Sequence, residues 1–318
     1  MSRQATMVSN VKEYLRLRRA LGFQMRSQEE MLLQFAKYLD HSGHRGPFTT
    51  DMALRWANRP QLARSYRAKR LSAVRCFARY LTVRDGRTEV PDRHLIPIVV
   101  FRQRPHLYSQ RELEQLLDAT DRLLPTYPLK RLVYRTLFGL LACTGLRISE
   151  AIKLKSAHVD LKHCVLRIEK TKFKKSRLVP LHPTAARALR RYSEARYGQP
   201  TACDDSPFFV NRRGNRLTYC AVRWAFERLR NVLGWKHGNG EMPRPRVHDI
   251  RHTFACRRLL SWYRQGKNVQ NLIVSLSTYM GHGKVTDTYW YLTGTPELLA
   301  IAGGRFEQFA RSGKGERA

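Results

Sequence analysis

The 318-residue sequence has few acidic residues for its length, and this scarcity makes the chain strongly basic. Its 25 Asp and Glu residues stand against 59 Lys and Arg, so the formal net charge is +34 at pH 7. Both the first 105 residues and the remainder carry an excess of basic residues. Such a charge predicts a polyanionic partner, above all nucleic acid.

Cysteine is also scarce and has no motif spacing. The six cysteines form no Cys-x-x-Cys pair and have no histidine at zinc-finger distance, which argues against a structural zinc site or a disulfide framework. Their mostly apolar neighbours predict buried, reduced thiols in a cytoplasmic protein. They are Cys76, Cys143, Cys164, Cys203, Cys220 and Cys256.

Long apolar runs are missing too. No stretch approaches the ~20 apolar residues that span a bilayer, and the N-terminus has no apolar signal-peptide segment. We therefore expect no membrane association and a cytoplasmic, nucleoid-associated location. The 14 tyrosines, 13 phenylalanines and 5 tryptophans argue against a disordered basic tail and for a folded chain.

The hydrophobic periodicity predicts a mainly α-helical chain in two domains. Residues 1–85 contain four helical patterns, at Val8 to Leu21, Ser27 to Tyr38 with a capping box to Glu30, Thr50 to Trp56, and Leu62 to Leu81. Glycine and proline break the pattern over residues 86–106, which predicts a linker. A second domain, 107–318, opens on a capping box at Ser109 and Glu112.

The helix predicted over Leu62 to Leu81 has two faces. Ala68, Leu71, Val74, Phe77 and Leu81 lie on one stripe and predict core packing. The other positions hold Arg67, Arg70, Arg75 and Arg79, which fit a solvated face and DNA phosphate contact equally well.

The second domain contains one β pattern among its helices. Further helices are predicted at Arg131 to Cys143, Ile148 to Leu154, Pro183 to Tyr197 and Thr218 to Leu233, with a loop over Gly234 to Arg246 and a last helix over Thr295 to Phe309. Between them, Cys164 to Leu181 alternates and contains a lysine-rich turn, which predicts an antiparallel hairpin.

Five side chains suited to phosphate chemistry are spread along this second domain. Arg147 lies in the run Thr-Gly-Leu-Arg-Ile-Ser-Glu, and His248 precedes Arg251 by three residues, so the two share a helix face. His282 follows Met-Gly, and Tyr291 comes nine residues later. Each of these residues, taken alone, also has a purely structural explanation: a structural histidine, an ordinary helix ion pair or a core tyrosine.

Together these residue types fit the cleavage of a phosphodiester without metal. Two arginines supply fixed donors for the non-bridging oxygens, and a tyrosine supplies a nucleophile that can leave again. Histidines can move protons or donate hydrogen bonds, and a lysine on the hairpin can protonate the departing 5′-hydroxyl. The lack of an acidic cluster counts against a two-metal nuclease. We expect neither a metal nor a cofactor.

The motifs resemble those of the tyrosine recombinases, the integrase family of site-specific DNA recombinases. Residues 144–150 match the family's first arginine box, residues 248–255 match its His-x-x-Arg box, and Met-Gly-His at 280–282 corresponds to its Leu-Gly-His. Tyr291 falls where the family's nucleophile falls, whereas Tyr289 does not.

The lysine of the hairpin is assigned by its distance from the following strand. Lys172 precedes Arg177 of the Arg-Leu-Val-Pro strand by five residues and is the best match, with Lys170, Lys174 and Lys175 as neighbouring candidates. The resemblance therefore implies the catalytic set Arg147, Lys172, His248, Arg251, His282 and Tyr291. The first domain carries no diagnostic motif, and only its helical, basic character agrees with a core-binding domain.

The resemblance also implies an architecture and a set of partners. We expect a two-domain, C-shaped clamp around double-stranded DNA at specific recombination sites, a 3′-phosphotyrosyl intermediate without ATP, and a homotetramer on two DNA sites. The helix at 295–309 would dock on a neighbouring protomer. We expect a sister recombinase or an accessory DNA-bending protein as a further partner.

The biological role and the rival functions stay open at this point. Integration, excision or transposition of a mobile element is favoured because the poorly matched N-terminal domain suggests a specialised target. Resolution of chromosome or plasmid dimers is the other role within the family. The rivals are a type IB topoisomerase-like enzyme, a DNA-binding regulator with an inactive site, and a basic RNA-binding protein.

Overall fold

The computed structural model describes residues 6–97, 104–123, 128–169, 176–197, 204–235, 244–292, 300 and 303–304. The chain forms two compact units, Met1–Arg102 and Gln103–Ala318. Ile96 is buried in the core of the first unit, and Tyr108 is buried in the core of the second. The domain boundaries at residues 85 and 107 stay a prediction.

The described residues of the first unit form four helices around an aromatic core. They are α1 (Met7–Ala20), α2 (Arg26–His41), α3 (Thr50–Ala57) and α4 (Arg64–Thr82). The Thr6 side chain caps α1, and the Thr49 side chain caps α3. The rings of Phe35, Phe48 and Phe77 pack on one another, and the stripe predicted on α4 is buried, as the periodicity indicated.

Two local predictions in this unit are wrong. No side chain caps α2, because the helix already begins at Arg26, one residue before Ser27, and its N-cap Met25 has a left-handed backbone. Arg70 is not on the solvated face of α4, since its side chain is buried with its guanidinium 3.7 Å above the ring of Trp56. A cation above an aromatic face is an attractive arrangement, and here it joins α4 to α3.

The second unit contains the remaining described helices. The predicted capping box of Ser109 and Glu112 is present at its start. The helices are α5 (Gln110–Ala119), α6 (Pro128–Thr144), α7 (Ile148–Ala151), α8 (Pro183–Tyr197), α9 (Tyr219–Val232), α10 (Val247–Arg264), α11 (Val269–Met280) and α12 (Thr286–Tyr289). The turn predicted from Ile148 to Leu154 ends at Ala151. The helix predicted over 295–309 lies almost wholly outside the described residues.

A small antiparallel sheet lies between α7 and α8 in the sequence. Its strands are β1 (Val159–Asp160), β2 (Val165–Ile168) and β3 (Arg177–Pro180), in the order β1-β2-β3. Leu166 pairs with Val179 and Ile168 pairs with Arg177, so the predicted hairpin is confirmed. Its lysine-rich turn, 170–175, is outside the described residues. The fold is mainly α with a small antiparallel sheet, as predicted.

Two apolar clusters hold the second unit together. The larger one gathers buried residues of α5, α6, α8 and α9 with the inner face of the sheet. The smaller one is formed mainly by α10 and α11 and includes Tyr291. None of the helices in the described ranges is long and apolar enough to cross a membrane.

The expected burial of the cysteines is wrong for three of them. Cys76, Cys143 and Cys220 are exposed, whereas Cys256 is buried in the smaller cluster. The apolar neighbours that suggested burial, such as Phe77 beside Cys76, are themselves buried. Cys203 lies outside the described residues.

Candidate active site

Arg147 is presented by a sharp turn between α6 and α7. Gly145 has a φ of +62°, and a Cβ there would overlap the ring of Phe254, so only glycine fits. Arg147 is the N-cap of α7, and its backbone N–H donates to a Glu150 carboxylate oxygen at 3.1 Å. Its Nη1 donates to Glu150 Oε1 at 2.9 Å, which fixes the guanidinium at the start of the helix.

Glu150 is shared by two arginines. Its carboxylate is buried and also accepts hydrogen bonds from Nη1 and Nη2 of Arg177, at 3.2 and 2.8 Å. Burial raises the pKa of Glu150, but the hydrogen bonds and charges of Arg177 and Arg147 outweigh it, so the pKa is lowered overall. The carboxylate is therefore ionised at neutral pH and balances part of the positive charge around it.

Arg251 lies at the centre of the site and is almost fully buried. Its Nη1 donates to the carbonyl oxygen of Gly145 at 2.6 Å, and its Nη2 donates to that of Met280 at 2.7 Å. Burial is the main cause that lowers the pKa of Arg251 to about 10, so the side chain remains charged at neutral pH. One guanidinium thus joins the turn before Arg147 to the end of α11.

His248 lies one helical turn before Arg251, near the start of α10. It is exposed as a residue, yet the protein atoms packed around the imidazole lower its pKa by desolvation, and the charge of Arg251 lowers it further. The imidazole is therefore neutral at pH 7 in the DNA-free protein. A neutral ring can accept a proton, which a charged ring cannot.

His282 follows the left-handed Gly281, which ends α11 at a φ of +68°. Its Nδ1 lies 2.7 Å from the hydroxyl oxygen of Thr288, where either atom can be the donor. The imidazole stacks on the ring of Tyr291, with centroids 5.8 Å apart and planes 25° apart. Burial, followed by the charges of Arg251 and Arg147, lowers the pKa of His282 to about 4.

The two candidate tyrosines differ in their surroundings. Tyr291 is 4% exposed and its ring lies against histidines, whereas Tyr289 is 48% exposed. Burial raises the pKa of the Tyr291 phenol, and the charge and hydrogen bonding of Arg251 act in the opposite direction. The phenol is protonated at neutral pH, so it needs a proton acceptor before it can act as a nucleophile.

His252 is a residue of the site that motif spacing did not single out. Its ring lies between those of His248 and Tyr291, with centroid distances of 5.0 and 5.3 Å. Its Nδ1 is buried and has no hydrogen-bond partner among the described residues. Desolvation is the main cause that lowers the pKa of His252 to about 3. In the sequence, its spacing of four residues after His248 could have predicted that both rings lie on the same face of a helix.

The structure thus brings five of the six predicted residues into one neighbourhood. Arg147, His248, Arg251, His282 and Tyr291 meet where α7, α10, α11 and α12 converge, while Lys172 lies outside the described residues. In the described ranges, no three His, Cys, Asp or Glu side chains converge in a way that could hold a metal ion. The arrangement can hold an anion among arginines beside a buried phenol.

Comparison with known proteins identifies a matching family and two named relatives. Residues 107–297 match the model of the phage integrase family. A Sinorhizobium fredii protein named as an integrase/recombinase, y4rB, is 42% identical over 303 residues, which cover 94% of this chain and 96% of that protein. The tyrosine recombinase XerC of a Roseiflexus species is 28% identical over 227 residues, covering 70% of this chain and 66% of XerC.

Two solved structures share the fold. The XerH site-specific recombinase, in a post-cleavage complex with a palindromic difH substrate, superposes with a TM-score of 0.67 at 19% identity, covering 96% of this chain and 86% of that one. The Tn1549 transposon integrase, in complex with transposon right end DNA, has a TM-score of 0.68 at 18% identity, covering 96% and 100% of the two chains.

Proposed function

Because the chain belongs to the phage integrase family and is a site-specific recombinase of the tyrosine type, we propose that Tyr291 is its nucleophile. The convergence of two arginines, neutral histidines and this buried phenol supports the proposal. Arg147 lies more than a hundred residues before the other groups in the sequence. Core packing alone does not require them in one place.

The proposed reaction is an exchange of phosphoester bonds. The Tyr291 hydroxyl oxygen attacks the scissile phosphorus, a bond forms between them, and the bond from phosphorus to the 5′-oxygen breaks. The phenolic proton passes to a neutral imidazole, His248 or His282, and Lys172 protonates the leaving 5′-oxygen. The product is a 3′-phosphotyrosyl bond, which a 5′-hydroxyl of another strand reopens. No ATP is needed, since one phosphoester bond forms for each one that breaks.

Arg147 and Arg251 stabilise the charge that grows on the non-bridging oxygens in this proposal. Arg251 is held by two backbone carbonyls and Arg147 by Glu150, so both donors are fixed before the DNA arrives. Loss of one such preorganised donor typically lowers the rate by about 10²- to 10³-fold. Arg147→Ala and Arg251→Ala should therefore slow cleavage by roughly that factor.

The remaining parts of the function are proposed at the level of the family. The partner is double-stranded DNA with specific recombination sites, bound by a homotetramer that joins two sites, with the helix at 295–309 on a neighbouring protomer. A sister recombinase or an accessory DNA-bending protein completes the assembly in some reactions. The protein acts in the nucleoid of the cytoplasm, without a metal or cofactor.

For the biological role, we propose integration, excision or transposition of a mobile element. Two relatives that align over nearly the whole chain, at 42% and 39% identity, are named as integrase/recombinase. The XerC proteins align over a smaller part, such as 70% of this chain at 28% identity. The integrase-type relatives therefore resemble more of this chain than XerC does.

The test is capture of denaturant-resistant protein–DNA adducts in cells that carry the gene, followed by sequencing of the attached DNA. Wild type is compared with Tyr291→Phe and with the control Tyr289→Phe. We expect adducts joined through a 3′-phosphate at a few genomic positions, lost only in Tyr291→Phe. Adducts that persist in Tyr291→Phe would refute the assignment, and adducts scattered over the genome would favour a topoisomerase.

A further inference from the structure

Arg177 is outside the six residues of the proposed chemistry, yet it contacts the segments that carry them. It is the first residue of β3, and its side chain is 11% exposed. Its Nε donates to the backbone carbonyl of Tyr279 at 2.8 Å, and both terminal nitrogens donate to Glu150. All three positions of the guanidinium are therefore engaged within the protein.

On one side, Arg177 fixes the carboxylate that holds Arg147. A guanidinium and a carboxylate that meet through two parallel hydrogen bonds have one preferred geometry. Glu150 Oε1 receives Nη1 of Arg177 and also Nη1 of Arg147, at 3.2 and 2.9 Å. Rotation of the Glu150 carboxylate would therefore displace the Arg147 side chain, and the two bonds from Arg177 oppose this rotation together with the bond from the Arg147 backbone N–H.

On the other side, Arg177 packs against the turn that presents His282. A Cβ added to Gly281 would lie 2.5 Å from Nη1 of Arg177 and 2.8 Å from its Cζ. The backbone of this turn thus rests directly on the guanidinium. Since His282 is the next residue, a displacement of Arg177 changes the support beneath the imidazole that stacks on Tyr291.

The position of Arg177 in the hairpin adds a third connection. Arg177 pairs with Ile168, and this is the last pair of the β2–β3 ladder before the turn. The lysine-rich turn begins within two residues of both strand ends. Arg177 therefore anchors the base of the turn that contains Lys172 in the sequence.

We propose that Arg177 is a positioning residue that holds Arg147, the turn before His282 and the base of the lysine hairpin in one arrangement. Its three nitrogens donate to Glu150 and to the Tyr279 carbonyl, and in this proposal it supports the catalytic residues without touching the substrate. The inference rests on the proposed function, and it adds a specific requirement: the guanidinium fork, and not merely its charge, sets the geometry for cleavage.

The experiment measures single-turnover cleavage at saturating protein, on the genomic fragment to which wild type becomes covalently attached. Binding of the same fragment is measured separately by filter retention. Arg177→Lys keeps the charge but loses the fork. Arg223→Ala is the matched control, because Arg223 forms an exposed arginine–glutamate pair with Glu227 in the same unit.

We expect Arg177→Lys to slow cleavage by about 10²-fold, the usual effect of a misplacement near 1 Å, while binding changes less than about threefold. Arg223→Ala should leave both unchanged. In an Arg147→Ala background, Arg177→Lys should add less than about threefold, since it acts in large part through Arg147.

The alternative outcomes separate the two proposals. A full effect of Arg177→Lys in the Arg147→Ala background would show that Arg177 does not act through Arg147, and an equal loss of binding and cleavage would show a general structural role. Either result would overturn the inference. Wild-type cleavage rates in Arg177→Lys would overturn it as well. Failure of wild type to form any adduct would instead overturn the proposed function, and this inference with it.

Discussion

Gly145 offers a stability test in which the steric contribution can be isolated. An added Cβ at Gly145 would overlap the Phe254 ring, lying 2.9 Å from its Cγ and 3.1 Å from its Cε1. That ring is backed by Tyr279, which stacks on it with centroids 5.8 Å apart, so it cannot readily move aside. Gly266 has a similar φ, +67°, but nothing lies within 4 Å of its added Cβ.

The two alanine variants should therefore differ by the cost of overpacking alone. A left-handed backbone costs an alanine roughly 1 kcal/mol relative to glycine, and both variants lose this amount. Forcing an extra carbon into a packed site costs about 1 to 3 kcal/mol more. We expect Gly266→Ala to lower the free energy of unfolding by ~1 kcal/mol and Gly145→Ala by ~2 to 4 kcal/mol.

Urea unfolding followed by tryptophan fluorescence measures this difference. In a Trp56→Phe background the remaining four tryptophans, Trp224, Trp235, Trp262 and Trp290, all lie in the second unit, so the signal reports that unit. Equal losses in the two variants would refute the steric argument. Adduct formation should fall only in Gly145→Ala, because the Gly145 carbonyl accepts the hydrogen bond from Arg251.

Three further predictions concern DNA binding and cleavage. Arg70→Met should leave the salt dependence of DNA binding unchanged, because Arg70 is buried. If Arg75 contacts a phosphate, Arg75→Met should reduce the slope of the logarithm of the binding constant against the logarithm of the salt concentration by about 1. A bound phosphate should raise the pKa of His282 above its DNA-free value of about 4, so affinity should increase as pH falls from 7.5 to 5.5. Anisotropy titrations at constant ionic strength should show a weaker increase in His282→Asn. Lys172→Ala should slow adduct formation in a gel assay by at least ~10²-fold, while Lys174→Ala should not.

Strong local patterns carried most of the fold prediction. The apolar stripe of α4, the capping box before α5 and the β2–β3 hairpin depend on residues close in sequence, and the structure contains all three. The start of α2 was less predictable, because Ser27 and Glu30 resemble a capping box, yet the helix begins at Arg26 after a left-handed Met25. Such backbone conformations leave no clear signal in a single sequence.

Motif spacing named the residues that gather around Arg251, and their catalytic roles stay predictions. The groups that hold them in place could not be named, because their partners are distant in sequence. In the sequence, Arg177 served only to locate Lys172. Its contacts with Glu150 and Tyr279 could not be predicted, because those residues are 27 and 102 positions away. The periodicity of α4 assigned Arg70 to the polar face, because the ring of Trp56 that covers it belongs to another helix.

The placement of Tyr291 in the smaller apolar cluster has a consequence for how the protein opens. A cooperative unit with few buried contacts can unfold locally at a lower free energy than the whole domain. Tyr291, α11 and the end of α10 form the smaller cluster, which has far fewer buried residues than the larger cluster around α6, so we expect this part to open at the lower free energy. Transient opening of this unit would carry the phenol outward while the scaffold of the domain stays folded. Amides of α11 should accordingly exchange with solvent sooner than those of α6.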